Sequence, residues 1–313
     1  LFDTATTSAS GSVVLRKDPK TVYTGRTMFG WYTLDPILDD RSFFAAGSVL
    51  TPDCDVELYE AYGVEVSTEE EFLEAVKKTD MFIRLKNGIT VHEQIVLPES
   101  GTTVIDLNGK TLEVSSKLSG TDYSTSIFKG TNGSLSILDT TKLRQGKIDI
   151  SGAIDDKYPT TAVFEFTPNE KMNKDIELRI FTSVEITSNL GFINVNSDIS
   201  EKEGTLKVII NGEITNSNYM IRSQGMKNAE IYMNDGSRFV TNGFMLFEDI
   251  GENDGEVASL YIKGGRFSLN PAKTVISNEP ERFGIYITGG LFENDIASLF
   301  PDGHYVFKVK RNE

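Results

Sequence analysis

Leu260-Tyr-Ile-Lys-Gly-Gly-Arg-Phe267 and Ile285-Tyr-Ile-Thr-Gly-Gly-Leu-Phe292 repeat one another in form: a brief alternating strand, a glycine corner, then a further apolar residue. Looser copies lie upstream in Leu178-Arg-Ile-Phe-Thr-Ser-Val-Glu-Ile-Thr187, Leu206-Lys-Val-Ile-Ile-Asn-Gly-Glu-Ile-Thr215 and Ala229-Glu-Ile-Tyr-Met-Asn-Asp-Gly-Ser-Arg-Phe239. If Ile186, Ile214, Phe239, Phe267 and Phe292 are equivalent, the successive spacings are 28, 25, 28 and 25 residues. Short strands at that spacing, with no helical pattern between them, find their simplest partner in the next copy, and such pairing is parallel. The expected fold is all-β, a right-handed parallel β-helix over residues 80–313, one coil per repeat.

Alternation along each strand assigns its faces. Val208, Ile210, Ile231, Met233, Leu260, Ile262, Ile285 and Ile287 are expected inside, in apolar ladders. Ile209, Tyr232, Tyr261 and Tyr286 are expected outside, in one column spaced by the strand separation of about 4.8 Å. Gly212, Gly265 and Gly290 mark corners where a side chain obstructs the bend. Ile105-Asp-Leu-Asn-Gly-Lys-Thr-Leu112 and Gly146-Lys-Ile-Asp-Ile150 carry the corner pattern earlier, separated by longer inserts. The first coil needs cover for its core and its free strand edge. Ser67-Thr-Glu-Glu70 has capping-box spacing, and Phe72, Leu73, Ala75 and Val76 form an apolar stripe, so a capping-helix segment is expected at 64–79, with the helix itself over 68–78. The remaining divisions are a flexible leader at 1–11, rich in Thr, Ser and Ala, and a small β-rich module at 12–63.

Acidic side chains outnumber basic ones by 46 to 31, giving a net charge of −15 and no basic stripe, which argues against nucleic acid as a partner. No apolar run reaches the roughly 18–20 residues of a membrane span. The single cysteine, Cys54, permits no internal disulfide and reads as a small buried hydrophobe. Any export signal is expected to have been removed.

The run from Ser67 to Val114, with its short helix, Phe82-Ile-Arg-Leu85 and Thr103-Val-Ile-Asp-Leu-Asn-Gly-Lys-Thr-Leu112, resembles the entry coil of pectate-lyase-like right-handed β-helices. Ile287-Thr-Gly-Gly-Leu-Phe292 followed by Leu299-Phe-Pro-Asp-Gly-His-Tyr305 resembles repeat proteins on the surface of gut bacteria. Phe29-Gly-Trp-Tyr-Thr33, Phe44-Ala-Ala-Gly47 and Thr51-Pro-Asp-Cys-Asp-Val-Glu-Leu-Tyr59 are similar to the second half of the Listeria–Bacteroides repeat, a β-grasp-like module, whose usual Asn-Gly-Gly opening is missing. These resemblances imply export and a cell-surface location. The chain ends Lys308-Val-Lys-Arg-Asn-Glu313 without a sortase-type signal, so an anchor is expected elsewhere.

With His92 and His304 the only histidines, a His-rich metal site is excluded and a histidine-based triad is disfavoured. Catalysis, were the chain a polysaccharide lyase or glycoside hydrolase, would rest on carboxylates of adjacent coils. Asp106, Asp139 and Asp149 are the candidates, beside Lys110, Arg144 and Lys147. The acidic turns Asp198–Glu203 and Asp249–Glu256 lack the ligand spacing of an EF-hand and read as solvated turns, so no cofactor is expected and calcium has no support. The column Tyr232, Tyr261 and Tyr286, with Lys263, Arg266 and Thr288 alongside, is the candidate ligand site, since aromatic faces suit sugar rings. Trp31 reads as the anchor of the small module's core. The expectation is an extracellular, surface-associated, non-enzymatic adhesin or display domain whose partners are glycans or neighbouring surface proteins, with polysaccharide cleavage as the alternative.

Overall fold

A computed structural model describes residues 11–33, 43–52, 55–115, 126–141, 145–150, 162–169, 175–181, 184–196, 205–215, 219–224, 229–234, 236–241, 243–248, 258–269, 275–277 and 283–293. Cys54, Arg144, His304, the two acidic turns and the Leu299–Tyr305 motif lie outside the described residues.

The chain begins with β1 (Val13–Val14), β2 (Thr27–Tyr32), β3 (Phe43–Ala45), β4 (Val49–Leu50), β5 (Tyr59–Val66) and helix α1 (Glu69–Val76). From Met81 it visits three sheets in strict rotation. Sheet I receives Met81–Leu85, Thr102–Asp106, Ser134–Leu138, Ile176–Ile180, Leu206–Ile210, Ala229–Met233, Ala258–Ile262 and Phe283–Ile287. Sheet II runs from Ile89–Val91 to Leu291–Phe292, and sheet III from Ile95–Val96 to Val275–Ser277. Every pairing within this part is parallel and joins a strand to its counterpart one coil along. The architecture is all-β and stacked, compatible with the expected β-helix.

The proposed period is the register itself. Ile186, Ile214, Phe239, Phe267 and Phe292 are successive partners in sheet II, and the ladder extends upstream through Ile148, Leu112 and Ile89. In sheet I the matching inner ladder is Ile83, Ile105, Ile137, Ile180, Ile210, Met233, Ile262 and Ile287. Phe128, Phe164 and Ile193 supply it in sheet III, with Phe128 and Phe164 stacked at 5.0 Å. These residues join one continuous core. Like residues over like at strand spacing give each coil the same apolar cross-section, which makes a stack the economical fold for this sequence. At the Gly265 corner φ is +92°, and a Cβ there would lie 2.2 Å from Ser237 Oγ, so both backbone and space require glycine.

Helix α1 buries Phe72, Ala75 and Val76 in the same core as Ile83 and Leu85. Its capping box sits one residue later than the sequence spacing indicated. Glu71 N–H donates to Thr68 Oγ1, while Ser67 N–H donates to Glu71 Oε2 at 2.7 Å. The N-cap is therefore Thr68, because it holds the extended backbone that a cap requires, and Glu71 reaches back to the residue before it.

The N-terminal strands extend sheet I. β5 pairs with Met81–Leu85 in parallel, and β2 and then β3 add antiparallel. Trp31 is buried with Leu15 and Leu50, donates its indole N–H to Arg16 O at 3.0 Å, and lies under the Arg16 guanidinium, as expected of a core anchor. A second cluster unites Tyr32 and Ala61 with Phe82, Val104, Leu138 and Phe181, and Phe29, Phe43 and Tyr59 pack against it. Those solenoid residues alternate with the inner ladder, so the antiparallel strands cover the outer face of the first coils of sheet I.

Candidate functional site

The outward column of sheet I runs Phe82, Val104, Ser136, Arg179, Ile209, Tyr232, Tyr261 and Tyr286, each the register partner of the next. Its early members are covered by the N-terminal strands. The three tyrosines emerge beyond that cover, Tyr286 being 52% exposed. Tyr232 and Tyr261 stack with centroids 4.9 Å apart and planes 11° apart, and Tyr261 and Tyr286 follow at 5.0 Å and 12°. In-register parallel strands hold identical rings at the sheet's own repeat, which is a stacking distance.

That geometry changes what the column offers a ligand. A ring face already covered by the next ring cannot also receive a sugar, so between neighbours the ladder presents edges and hydroxyls rather than faces. Lys263, expected beside the column, places Nζ 4.7 Å from the Tyr232 centroid and occupies that ring too. Tyr232 donates its hydroxyl to Glu230 Oε2 at 2.7 Å. Burial, followed by this bond to a carboxylate, pushes its pKa up to about 12. Arg266 lies round the corner in sheet II, where Nε meets Glu293 Oε1 at 2.5 Å. The bond from Arg266 and then that from Ser268 hold the Glu293 carboxyl below the usual range. The structure thus brings Tyr232, Tyr261, Tyr286 and Lys263 into contact along one row, with Arg266 on the adjoining sheet.

The three candidate catalytic carboxylates occupy different settings. Asp106 is fully buried and accepts from Arg84 Nε at 2.7 Å, Thr140 Oγ1 at 2.8 Å, and the backbone N–H groups of Thr140 and Asn108, both at 3.0 Å. Asp139 accepts from the N–H groups of Gly109, Thr141 and Gly146 at 2.9, 2.9 and 2.6 Å. Both carboxylates tie corners between sheets I and II, satisfying backbone donors that the turns leave over. Asp149 is on the outer face of sheet II, 3.1 Å from Lys147 Nζ, with Glu113 as its register partner; Lys147 also lies 3.7 Å from Glu185. The bond to Asp149 raises the Lys147 pKa against a smaller desolvation effect. His92 Nδ1 sits 2.9 Å from Glu69 Oε2 and fastens the end of a sheet II strand to the first turn of α1.

Sheet III carries an outward polar row that sequence reasoning missed. Lys129, Glu165, Asn194 and Arg222 are successive partners. Ser126 Oγ donates to Glu165 Oε2 at 2.8 Å, and Lys129 Nζ is 3.9 Å from the other oxygen. Asn194 and Arg222 are only 8% and 7% exposed. The available signal was a lone polar residue between apolar neighbours, as in Phe164-Glu-Phe166 and Ile193-Asn-Val195. Among the described residues no group of three or more His, Cys, Asp or Glu is placed to hold a metal ion, and no helix is long and apolar enough to cross a membrane.

No family model, no curated protein and no solved structure matches the chain.

Proposed function

We propose that this chain is an extracellular, surface-associated and non-enzymatic display or adhesion module, in which a right-handed β-helix of the pectate-lyase-like kind, capped by α1, carries a contact face along the tyrosine ladder. The observation that carries this reading is the row Tyr232, Tyr261 and Tyr286, stacked in register and emerging where the N-terminal strands end. Tyrosines fixed by their neighbours lose little conformational entropy on binding and present an apolar body with a hydrogen-bonding tip. Glycan hydroxyls would be met edge-on, by the phenol hydroxyls and Lys263, with Arg266 at the margin. Asp106 and Asp139, whose oxygens are engaged by corner donors, fit a structural role and weigh against the catalytic alternative.

A glycan array probed with labelled full-length protein tests the reading. Tyr261→Ala combined with Tyr286→Ala is expected to abolish the signal while the melting temperature moves by only a few degrees. An unchanged signal removes the ladder from consideration.

One observation favours polysaccharide cleavage as a second reading. Glu113 and Asp149 are register partners on neighbouring coils, with Lys147 beside Asp149, and glycoside hydrolysis works through two carboxyl groups brought close together in this way. Incubation with acidic and neutral polysaccharides is then expected to generate new reducing or unsaturated ends, which Asp149→Asn abolishes. The absence of product from every substrate discards it.

A further inference from the structure

The ladder places three phenols in register at stacking distance. Tyr261 lies between two near-parallel rings at 4.9 and 5.0 Å. All three project outward, and Tyr286 is 52% exposed. Tyr232 already donates its hydroxyl proton toward Glu230 Oε2. A phenol that loses an electron to an oxidant must also lose its proton, and a hydrogen-bonded carboxylate is a ready acceptor. The neighbouring ring is then held beside the resulting radical at a local concentration that no encounter in solution approaches.

We propose that Tyr232, Tyr261 and Tyr286 form a site of oxidative cross-linking, at which a haem peroxidase supplied with hydrogen peroxide joins adjacent coils through a dityrosine bond. Each of two neighbouring phenols gives up one electron and one proton, leaving two neutral phenoxyl radicals. The radicals couple by forming a carbon–carbon bond between positions ortho to oxygen. Each coupled ring recovers aromaticity by moving its ortho hydrogen to the oxygen. The peroxide takes up the two electrons and two protons and becomes two molecules of water. Two tyrosines and one peroxide thus give one dityrosine, with two hydrogens lost from the protein. The outer edges of the rings carry the reacting positions, so the rings can tip together there while the strands beneath keep their register.

Other tyrosine pairs provide the internal comparison. Tyr32 and Tyr59 stack at 5.4 Å, but Tyr32 is only 7% exposed. Tyr23 is as exposed as Tyr286, yet its neighbour Tyr62 lies at 6.2 Å with planes tilted by 31°. Only the ladder combines stacking with access among these pairs. Because Tyr232, Tyr261 and Tyr286 are 29 and 25 residues apart in sequence, either bond closes one full coil on the next.

The test treats the full chain with a haem peroxidase and one equivalent of hydrogen peroxide, isolates the monomer by size-exclusion chromatography, and maps its peptides by mass spectrometry. The expected product is a pair of peptides, carrying Tyr232 with Tyr261 or Tyr261 with Tyr286, joined with loss of two hydrogens. Tyr261→Phe keeps the stack and should abolish both products, whereas Tyr23→Phe should leave the yield unchanged. The cross-linked monomer should unfold roughly 5 °C or more above the untreated one, as other covalent loop closures do. Absence of either peptide pair from the monomer overturns the proposal, as does a yield that Tyr261→Phe does not reduce, or dityrosine confined to covalent dimers. The glycan-array result is independent of all these outcomes, because cross-linking needs only the ring geometry.

Discussion

Replacing Asp106 by alanine should destabilise the first coils and loosen the N-terminal strands together. Its carboxylate is wholly buried and accepts four hydrogen bonds, one from Arg84 and three from the Asn108 and Thr140 corners. Arg84 in turn lies 4.4 Å from the Phe29 ring and 5.3 Å from the Phe43 ring, so one guanidinium links the carboxylate to β2 and β3. Removing one partner of such a pair strands a largely buried charge, at a cost of about 3–5 kcal/mol. That loss should lower the unfolding midpoint by roughly 6 °C or more, at 2–4 °C per kcal/mol. Trp31, the only tryptophan and part of the N-terminal core, separates the two regions spectroscopically. Circular dichroism follows the strands of the stack while tryptophan fluorescence follows the antiparallel strands, and the fluorescence transition is expected to move the further. Arg84→Met in the same background should add little, because its partner has already gone. A midpoint within about 2 °C of wild type, the range of an ordinary surface change, would refute the reasoning and reopen Asp106 as a residue kept for chemistry.

Gly63 opposes Phe82 so closely that an added Cβ would lie 1.7 Å from Phe82 O; Gly63→Ala should separate β5 from Met81–Leu85 and admit protease there, as limited proteolysis would reveal. Asp175 is held below the ordinary carboxylate pKa chiefly by its hydrogen bond from Lys207, so the stability it contributes is present above the unfolded value and lost as pH falls through the folded one. Lys207→Met should therefore reduce the loss of stability between neutral and acid pH, measured by urea unfolding across that range. Tyr232, with its pKa pushed up to about 12, contributes stability that is complete below the ordinary tyrosine value and lost as pH rises through the folded one. In an ultraviolet phenolate titration, Tyr232→Phe should remove a component ionising near 12, and removal of one near 10 instead would contradict the burial and the Glu230 bond.

The later coils were legible because each repeats the same alternation at nearly the same length, and Phe267 and Phe292 fall in register as their spacing indicated, stacked at 4.8 Å. The earlier coils were harder to read, since inserts before Ala162–Phe166 and Ile176–Ile180 disturb the period while the register persists beneath it. The capping box slipped by one residue because Ser67 and Thr68 are both competent caps, and only backbone conformation selects between them. Asp106 and Asp139 looked like outward carboxylates on adjacent coils. Their corners turn the carboxylates onto backbone N–H groups, a three-dimensional fact that spacing does not encode. For the tyrosines the sequence indicated the column but not its consequence, since the alignment that lines up the rings also covers their faces.

The outer face of sheet I connects these observations. One column begins as Phe82 and Val104, passes through Ser136, Arg179 and Ile209, and ends as Tyr232, Tyr261 and Tyr286. Where the residues are phenylalanine and valine, the chain covers them with its own aromatic strands, because a bare apolar row would invite association. Beyond the cover the column changes to tyrosines that stack among themselves. Arg179, bonded to Glu177 at 2.8 Å, and then Ile209 stand between the two regimes. Past the described cover the column leaves Tyr286 52% exposed. That argues for an outward role for the ladder, and the array and peroxide experiments address two separate forms of it.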